Sequence, residues 1–299
     1  MKEPSTTILE SFREYLGSEG QSLNTLRGNS NTVAQFLDWL STHSIPYVSV
    51  SYSDLLSYIN YSKTKGNTKR TIKGKICAIK HFYRYLQRAD LVAHNPAETV
   101  VLKGIITRQP HDLLPWESLE ALYENYPTGS LTGKRNKSII GMMIYQGLNS
   151  GEISTIEVQD LCLETAKVYV AGVGRRNSRR LKLSSAQIIP LQKYISQVRP
   201  LLLSISGKES ARLFVSSGVG HGLGHSIKTV MRIAKQLNAT VKHAQQIRAS
   251  VLTHWLSKSS IRQVQYMAGH RYISSTDRYR TDLLETLQEQ IESLHPLLS

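Results

Sequence analysis

Between Lys69 and Arg88 the apolar residues Ile72, Ile76, Ile79, Tyr83 and Leu86 recur at three- and four-residue steps. Side chains spaced this way share one face of a helix, so the segment predicts a helix with a single buried stripe. Such a stripe needs other helices to lie against. The preceding chain offers them in Leu9, Phe12 and Leu16, in Val33, Phe36, Leu37 and Leu40, and in a short run from Asp54 to Ile59. Together these patterns predict a helical bundle for the chain up to about Leu102.

The remaining faces of the same helix carry Lys69, Arg70, Lys73, Lys80 and Arg84. A charged face is often just solvated surface. Here the whole chain tilts the choice, because 37 lysines and arginines face 22 acidic residues, a net charge of +15 over 299 residues. An excess of that size points to a polyanionic partner, most simply nucleic acid. The five residues are therefore candidate contacts to the phosphates of double-stranded DNA. Cys77 and Cys162 stand apart without metal-ligand spacing, so neither a disulfide framework nor a metal is expected. No apolar signal region opens the chain and no run approaches a membrane span, so a soluble, cytoplasmic protein is expected.

Gly104 to Pro115 lacks periodicity and contains Pro110 and Pro115, which reads as a linker (104–115) between domains at 1–103 and 116–299. In the second domain helices are expected near 116–126, 133–147, 151–158, 191–198, 227–237 and 246–256. Lys167–Val170 reads as a strand, Gly172, Gly174, Asn177 and Ser178 as turn chemistry, and Arg180–Leu183 as the antiparallel return. The expected fold class is mostly α, with a small antiparallel sheet in the second domain. A last helix, about Asp282 to Leu294, carries Leu284, Leu287, Ile291 and Leu294 at heptad-like steps.

Chemistry-bearing residues concentrate between Gln245 and Arg280: Arg248, then Thr253-His254, then Gly269-His270, then Tyr279. A tyrosine can attack a phosphodiester when an arginine and a histidine hold the phosphate beside it. This order and spacing resemble the C-terminal signature of the tyrosine recombinases, the phage-integrase family. The N-terminal half resembles that family's SAM-like core-binding domain through Ser22-Leu23-Asn24-Thr25, Thr71-Ile72, Phe82-Tyr83-Arg84-Tyr85-Leu86 and Asn95-Pro96-Ala97. Leu213-Phe214 fits upstream of the signature, and the whole length resembles the compact two-domain, Xer-like form.

The resemblance implies a site-specific recombinase or integrase that cuts and rejoins DNA through a 3′-phosphotyrosyl bond, without metal or cofactor. It assigns Tyr279 as nucleophile, Arg248 as a phosphate clamp and His270 as a phosphate contact. It also implies work beside the nucleoid, often for a mobile element. The assembly would be a homotetramer on paired sites or a heteromer with a sister recombinase, with the terminal helix docking on the neighbour. Three positions depart from the pattern. Gln245 stands where the motif opens with histidine. Asn149 stands where Thr-Gly-Leu-Arg-x-x-Glu-Leu has its arginine, the register being set by Gly147, Leu148 and Glu152. Val173 stands at the lysine of Gly-Lys-Gly. Arg175, Arg176, Lys182 and His243 are the candidate substitutes. The alternative function is a catalytically impaired homologue that binds DNA as the partner of an active recombinase.

Overall fold

The computed structural model describes residues 4–104, 112–172, 174, 176–218 and 222–280. The expected terminal helix, Val173, Arg175 and most of the expected linker lie outside the described residues. The chain divides into two compact units, Met1–Thr107 and Arg108–Ser299. As expected, it is mostly helical with one small antiparallel sheet.

The first unit holds α1 (Pro4–Ser18), α2 (Leu23–Thr42), α3 (Tyr52–Thr64) and α4 (Lys69–Arg88). The stripe of α4 is buried throughout, from Ile72 to Leu86, against Phe12, Leu16, Val33, Phe36, Leu40 and Tyr58. Each large apolar side chain so buried contributes roughly 1.5–3 kcal/mol. Phe12 meets Phe82 edge-on at 5.4 Å, and Phe36 meets Tyr58 at 4.9 Å. Hydroxyl caps start three of the helices. Ser22 accepts from Thr25 N, Ser51 from Asp54 N and Thr68 from Thr71 N, each satisfying a donor left over at a helix start. After α4, Asn95 Oδ1 accepts from Ala97 N while its amide donates to Lys80 O at 3.2 Å. That pins the Asn-Pro-Ala turn onto the helix and buries Ala97 in the core.

The second unit is built around α6 (Leu131–Tyr145), whose residues Ile139–Ile144 are buried without interruption. A helix apolar on all sides must be surrounded. Around it pack α5 (Trp116–Glu124) and three helices described below: α8, α10 and α11. Next come α7 (Ser150–Thr155) and the strands β1 (Leu161–Cys162), β2 (Lys167–Val170) and β3 (Arg179–Lys182). The strands pair antiparallel in the order β1-β2-β3, with Val168 opposite Leu181 and Val170 opposite Arg179. Val168, Val170, Arg179 and Leu181 face inward, whereas Lys167, Tyr169, Arg180 and Lys182 face out. The return strand thus starts at Arg179, one residue before the expected Arg180, and the added residue is a buried arginine.

A second correction concerns the helix expected at 191–198. Helical structure already starts at α8 (Ser185–Lys193), passes through a π-helical turn at Tyr194–Val198 and continues as α9 (Arg199–Ser206). Pro190 lies within α8 and has no N–H for the carbonyl four residues back. Here the Tyr123 hydroxyl donates to that carbonyl, Ala186 O, at 3.1 Å, so the helix tolerates the proline. The unit is completed by α10 (Gly224–Leu237), α11 (Ala244–Lys258), α12 (Ile261–Ala268) and α13 (Ser274–Asp277). Among the described residues no helix is long and apolar enough to cross a membrane, and no group of three or more His, Cys, Asp or Glu could hold a metal ion.

Candidate active site

The site grows from α11. Its residues 246–252 are all buried, so Arg248 is largely withdrawn from solvent and is satisfied mostly from within. Three elements supply acceptors. Arg248 Nη1 donates to the carbonyl of Gly147, in the turn before α7, and lies 3.4 Å from Glu152 Oε2. Nη2 donates to Ala268 O, at the end of α12, at 2.7 Å. Burial draws the Arg248 pKa down to about 10 against the opposing pull of Glu152, so the guanidinium stays charged at neutral pH.

Glu152 is the hub. It is 3% exposed and sits in the first turn of α7, where Asn149 is the N-cap. The Asn149 carbonyl oxygen accepts from Gly151 N at 2.9 Å and Glu152 N at 3.2 Å, and its amide donates to Glu152 Oε2. The other carboxylate oxygen, Oε1, lies 2.9 Å from Arg179 Nη1 and 3.4 Å from Arg176 Nη1. Burial opposes ionisation of Glu152, but Arg179 and then Arg248 hold its carboxyl below the ordinary value.

The β2–β3 turn reaches the site by docking on the Gly-His loop. Asn177 N donates to Gly269 O at 3.1 Å, Arg176 forms a β-bridge with His270, and Arg179 Nε donates to Met267 O at 2.7 Å. Gly269 ends α12 with φ of +69°, and a Cβ there would overlap the Arg179 guanidinium. Glycine is therefore required twice, for the backbone turn and for the space.

His270 lies 3.4 Å from Arg248 Nη2 through Nε2 and 2.9 Å from Thr276 Oγ1 through Nδ1. A guanidinium can only donate, so Nε2 is the acceptor and Nδ1–H donates to the threonine. Burial, then Arg248, Arg278, Arg176 and Arg179, pull its pKa down to about 4, so the ring is neutral at pH 7. The Tyr279 ring lies parallel to it, 9° between planes and 6.3 Å between centroids. Tyr279 is 2% exposed, packed on Ala249, Leu252, Val264 and Ala268, and its hydroxyl accepts from Arg278 Nη2 at 2.6 Å. At the far end of α11, His254 stacks on Trp116 at 4.3 Å.

Of the residues singled out from sequence, Arg248, His270, Tyr279 and Arg176 meet here, with Asn149 joined through Glu152. Others do not. Gln245 is exposed at the start of α11, while its neighbour Gln246 is buried and donates to Asp112 O and Thr240 O. His243 caps α11, its ring accepting from Gln246 N at 3.0 Å. Lys182 lies on the face of β3 opposite to Arg179, and its carbonyl accepts from Gln146. Sequence reasoning missed Arg179, Arg278 and Thr276, and used Glu152 only to set register. The signal for Arg179 was available, since it is the first inward position of a strand with period two. In the first unit Lys69, Arg70, Lys73 and Arg84 are exposed. Arg84 pairs with Glu98 at 3.0 Å and Lys80 donates to Glu98 O at 2.8 Å.

Comparison with known proteins bears on the family and the fold. Residues 113–285 match the phage integrase family and residues 9–90 the phage integrase N-terminal SAM-like domain. Over 293 residues the chain is 27% identical to tyrosine recombinase XerC of Oceanobacillus iheyensis, covering 96% of this chain and 95% of that one. Tyrosine recombinase XerD of the same organism is also 27% identical, over 296 residues, covering 96% and 98%. Among solved structures, the XerH site-specific recombinase bound to its palindromic difH substrate shares the fold, with a TM-score of 0.71 at 16% identity over 96% of this chain and 84% of that one. Arginines around one carboxylate, a histidine and a buried tyrosine thus sit together in a chain that belongs to the phage integrase family, the tyrosine recombinases.

Proposed function

We infer that this chain is a site-specific DNA recombinase, with Tyr279 as its nucleophile. The observation that carries the reading is the meeting of Tyr279, His270 and Arg248 with a surplus of positive charge. The groups that act on His270 are Arg248, Arg278, Arg176 and Arg179, and the carboxylate among them is Glu152. Such a cluster suits a phosphodiester, whose transition state gathers charge on its non-bridging oxygens. Tyr279 Oη gives up its proton and forms a bond to phosphorus, the bond from phosphorus to the 5′ oxygen breaks, and that oxygen takes up one proton as it leaves, so no net proton is consumed. Attack by another strand's 5′-hydroxyl reverses the step. The phosphotyrosyl bond conserves the energy of the one it replaces, so rejoining needs no nucleotide. Arg248 holds the phosphate. Neutral His270, its tautomer set by the donor-only Arg248 and its ring held by Thr276, places an acceptor nitrogen beside Arg248. Tyr279 is buried before DNA binds, so attack requires the duplex to draw it out.

The two domains, 1–103 and 116–299, each contact DNA in this reading, the first through α4. A tetramer on paired sites, made of this chain alone or with a sister recombinase, serves a mobile element in the cytoplasm, and the 282–294 segment joins neighbours. The test is a nicked suicide duplex carrying a site that the protein selects from a random-sequence pool. A covalent protein–DNA adduct is expected. Tight site-specific binding without any adduct would favour the impaired partner instead.

A further inference from the structure

We propose that Arg179 is the second phosphate-gripping guanidinium of this site, entering from β3 to do the work of the arginine that Asn149 replaces. The proposal rests on the recombinase reading above and assigns to it a residue outside the sequence motif. Asn149 is committed elsewhere. Its side chain caps α7 and ties down Glu152, and it brings no charge. Arg179 approaches the same carboxylate from the other side, 2.9 Å from Oε1, while Arg248 lies 3.4 Å from Oε2. Two guanidiniums therefore flank one carboxylate, with Arg176 beside them at 3.4 Å.

The burial separates Arg179 from Arg176. The Arg179 side chain is 0% exposed and that of Arg176 is 38% exposed. Arg179 is fixed through Nε on Met267 O, beside a glycine that leaves room for nothing else. A preorganised donor of this kind needs no reordering when charge develops next to it. Yet Arg179 Nη1 and Nη2 are both buried without a hydrogen bond among the described residues, as is Glu152 Oε1, because the 2.9 Å approach of Nη1 to Oε1 is an ion pair and not an aligned hydrogen bond. A buried, unfilled donor on a cation is costly unless something completes it. A tetrahedral oxyanion brought up beside Glu152, within reach of Arg179 and Arg248, would do so and would balance the surplus charge. An exposed arginine such as Arg176 could follow the phosphate but would not define its position.

Two readouts on the full-length chain test this. Inorganic phosphate, titrated against chloride at constant ionic strength, should raise the melting temperature of the wild type. The rise should persist in Arg13→Gln, an exposed position on α1 used as control, and largely vanish in Arg179→Lys and Arg179→Gln. Suicide duplexes carrying the selected site then give the rate of adduct formation. Arg179→Lys keeps a charge opposite Glu152 but loses the planar fork. Adduct formation should fall ~10²–10³-fold, the usual loss for one preorganised donor, with duplex affinity retained. Asn149→Arg placed on Arg179→Gln should recover part of the lost rate, because the charge returns from the helix side.

Wild-type adduct rates in a folded Arg179→Lys protein would overturn the proposal. So would equal phosphate stabilisation of wild type and Arg179→Lys, or a loss that follows Arg176→Gln and spares Arg179→Lys. Should Arg179→Gln fail to fold, the lysine variant decides. If the wild type itself forms no adduct, the recombinase reading fails, and the phosphate titration alone decides whether Arg179 grips an oxyanion.

Discussion

Both units of the chain use positive charge, but in opposite settings. On α4, Lys69, Arg70 and Lys73 stand in water, and even the Arg84–Glu98 pair has side chains 50% and 52% exposed. Such pairs are worth ~0.2–1 kcal/mol and fade with salt. Around Glu152 the Arg248 and Arg179 side chains are 6% and 0% exposed. Removing one partner from a buried pair costs ~3–5 kcal/mol. The surface set can bind any polyanion along its length without fixing one geometry. The buried set fixes geometry and links the fold's stability to the state of the site.

That contrast can be broken in four ways. The largest effect is expected from Tyr279→Phe, which removes only a buried hydroxyl. Covalent adduct should disappear while duplex affinity and melting temperature hardly move, and an adduct surviving in this variant would refute the nucleophile. Next comes Arg248→Gln. It should lower adduct formation ~10²–10³-fold and destabilise the fold by ~3–5 kcal/mol in urea titration, since Glu152 keeps its burial and loses a partner. An unchanged urea midpoint would mean that the buried cluster behaves like the surface.

The third test uses pH. The His270 pKa falls from an ordinary 6.5 to about 4, so between those values the unfolded chain binds the proton and the folded chain does not. Stability from this residue is complete above 6.5 and lost as pH drops toward 4. Allowing for its partial exposure, the loss is on the order of 1–3 kcal/mol. His81 and His254 are also shifted down and titrate in the same direction. The relevant quantity is therefore the difference between wild type and His270→Gln, which should have the flatter profile. Identical profiles would remove the charge cluster from around His270. The smallest effect on the fold is expected from replacing Lys69, Arg70 and Lys73 by Gln together, ~0.5 kcal/mol or less in stability. The salt dependence of duplex binding should instead lose a slope of ~0.9 for each phosphate contact removed. Lys80→Gln with Arg84→Gln should change it less, because both side chains already face Glu98.

What could be read in advance follows the range of the interaction. Helix α4 runs from Lys69 to Arg88 as its stripe implies, since the period and the Thr68 cap are local signals. The spacing of Arg248, His270 and Tyr279 was legible for the same reason. Glu152 as hub was not, because its partner Arg248 lies 96 positions away and nothing local to α7 marks it as a charge acceptor. Arg179 was hidden by a strand boundary misplaced by one residue. The true start of the helical run after β3 was not legible, because the Tyr123 hydroxyl that serves the carbonyl facing Pro190 lies 63 positions away.

The Tyr123–Ala186 bond that accommodates Pro190 also makes two distant positions depend on each other. A lineage that exchanged Pro190 for alanine would regain a backbone donor, and the Tyr123 hydroxyl would become dispensable. One that lost the hydroxyl first would leave the carbonyl of the exposed Ala186 to water. The tyrosine and the proline, 67 positions apart in the chain (190 − 123), are thus coupled through a single oxygen.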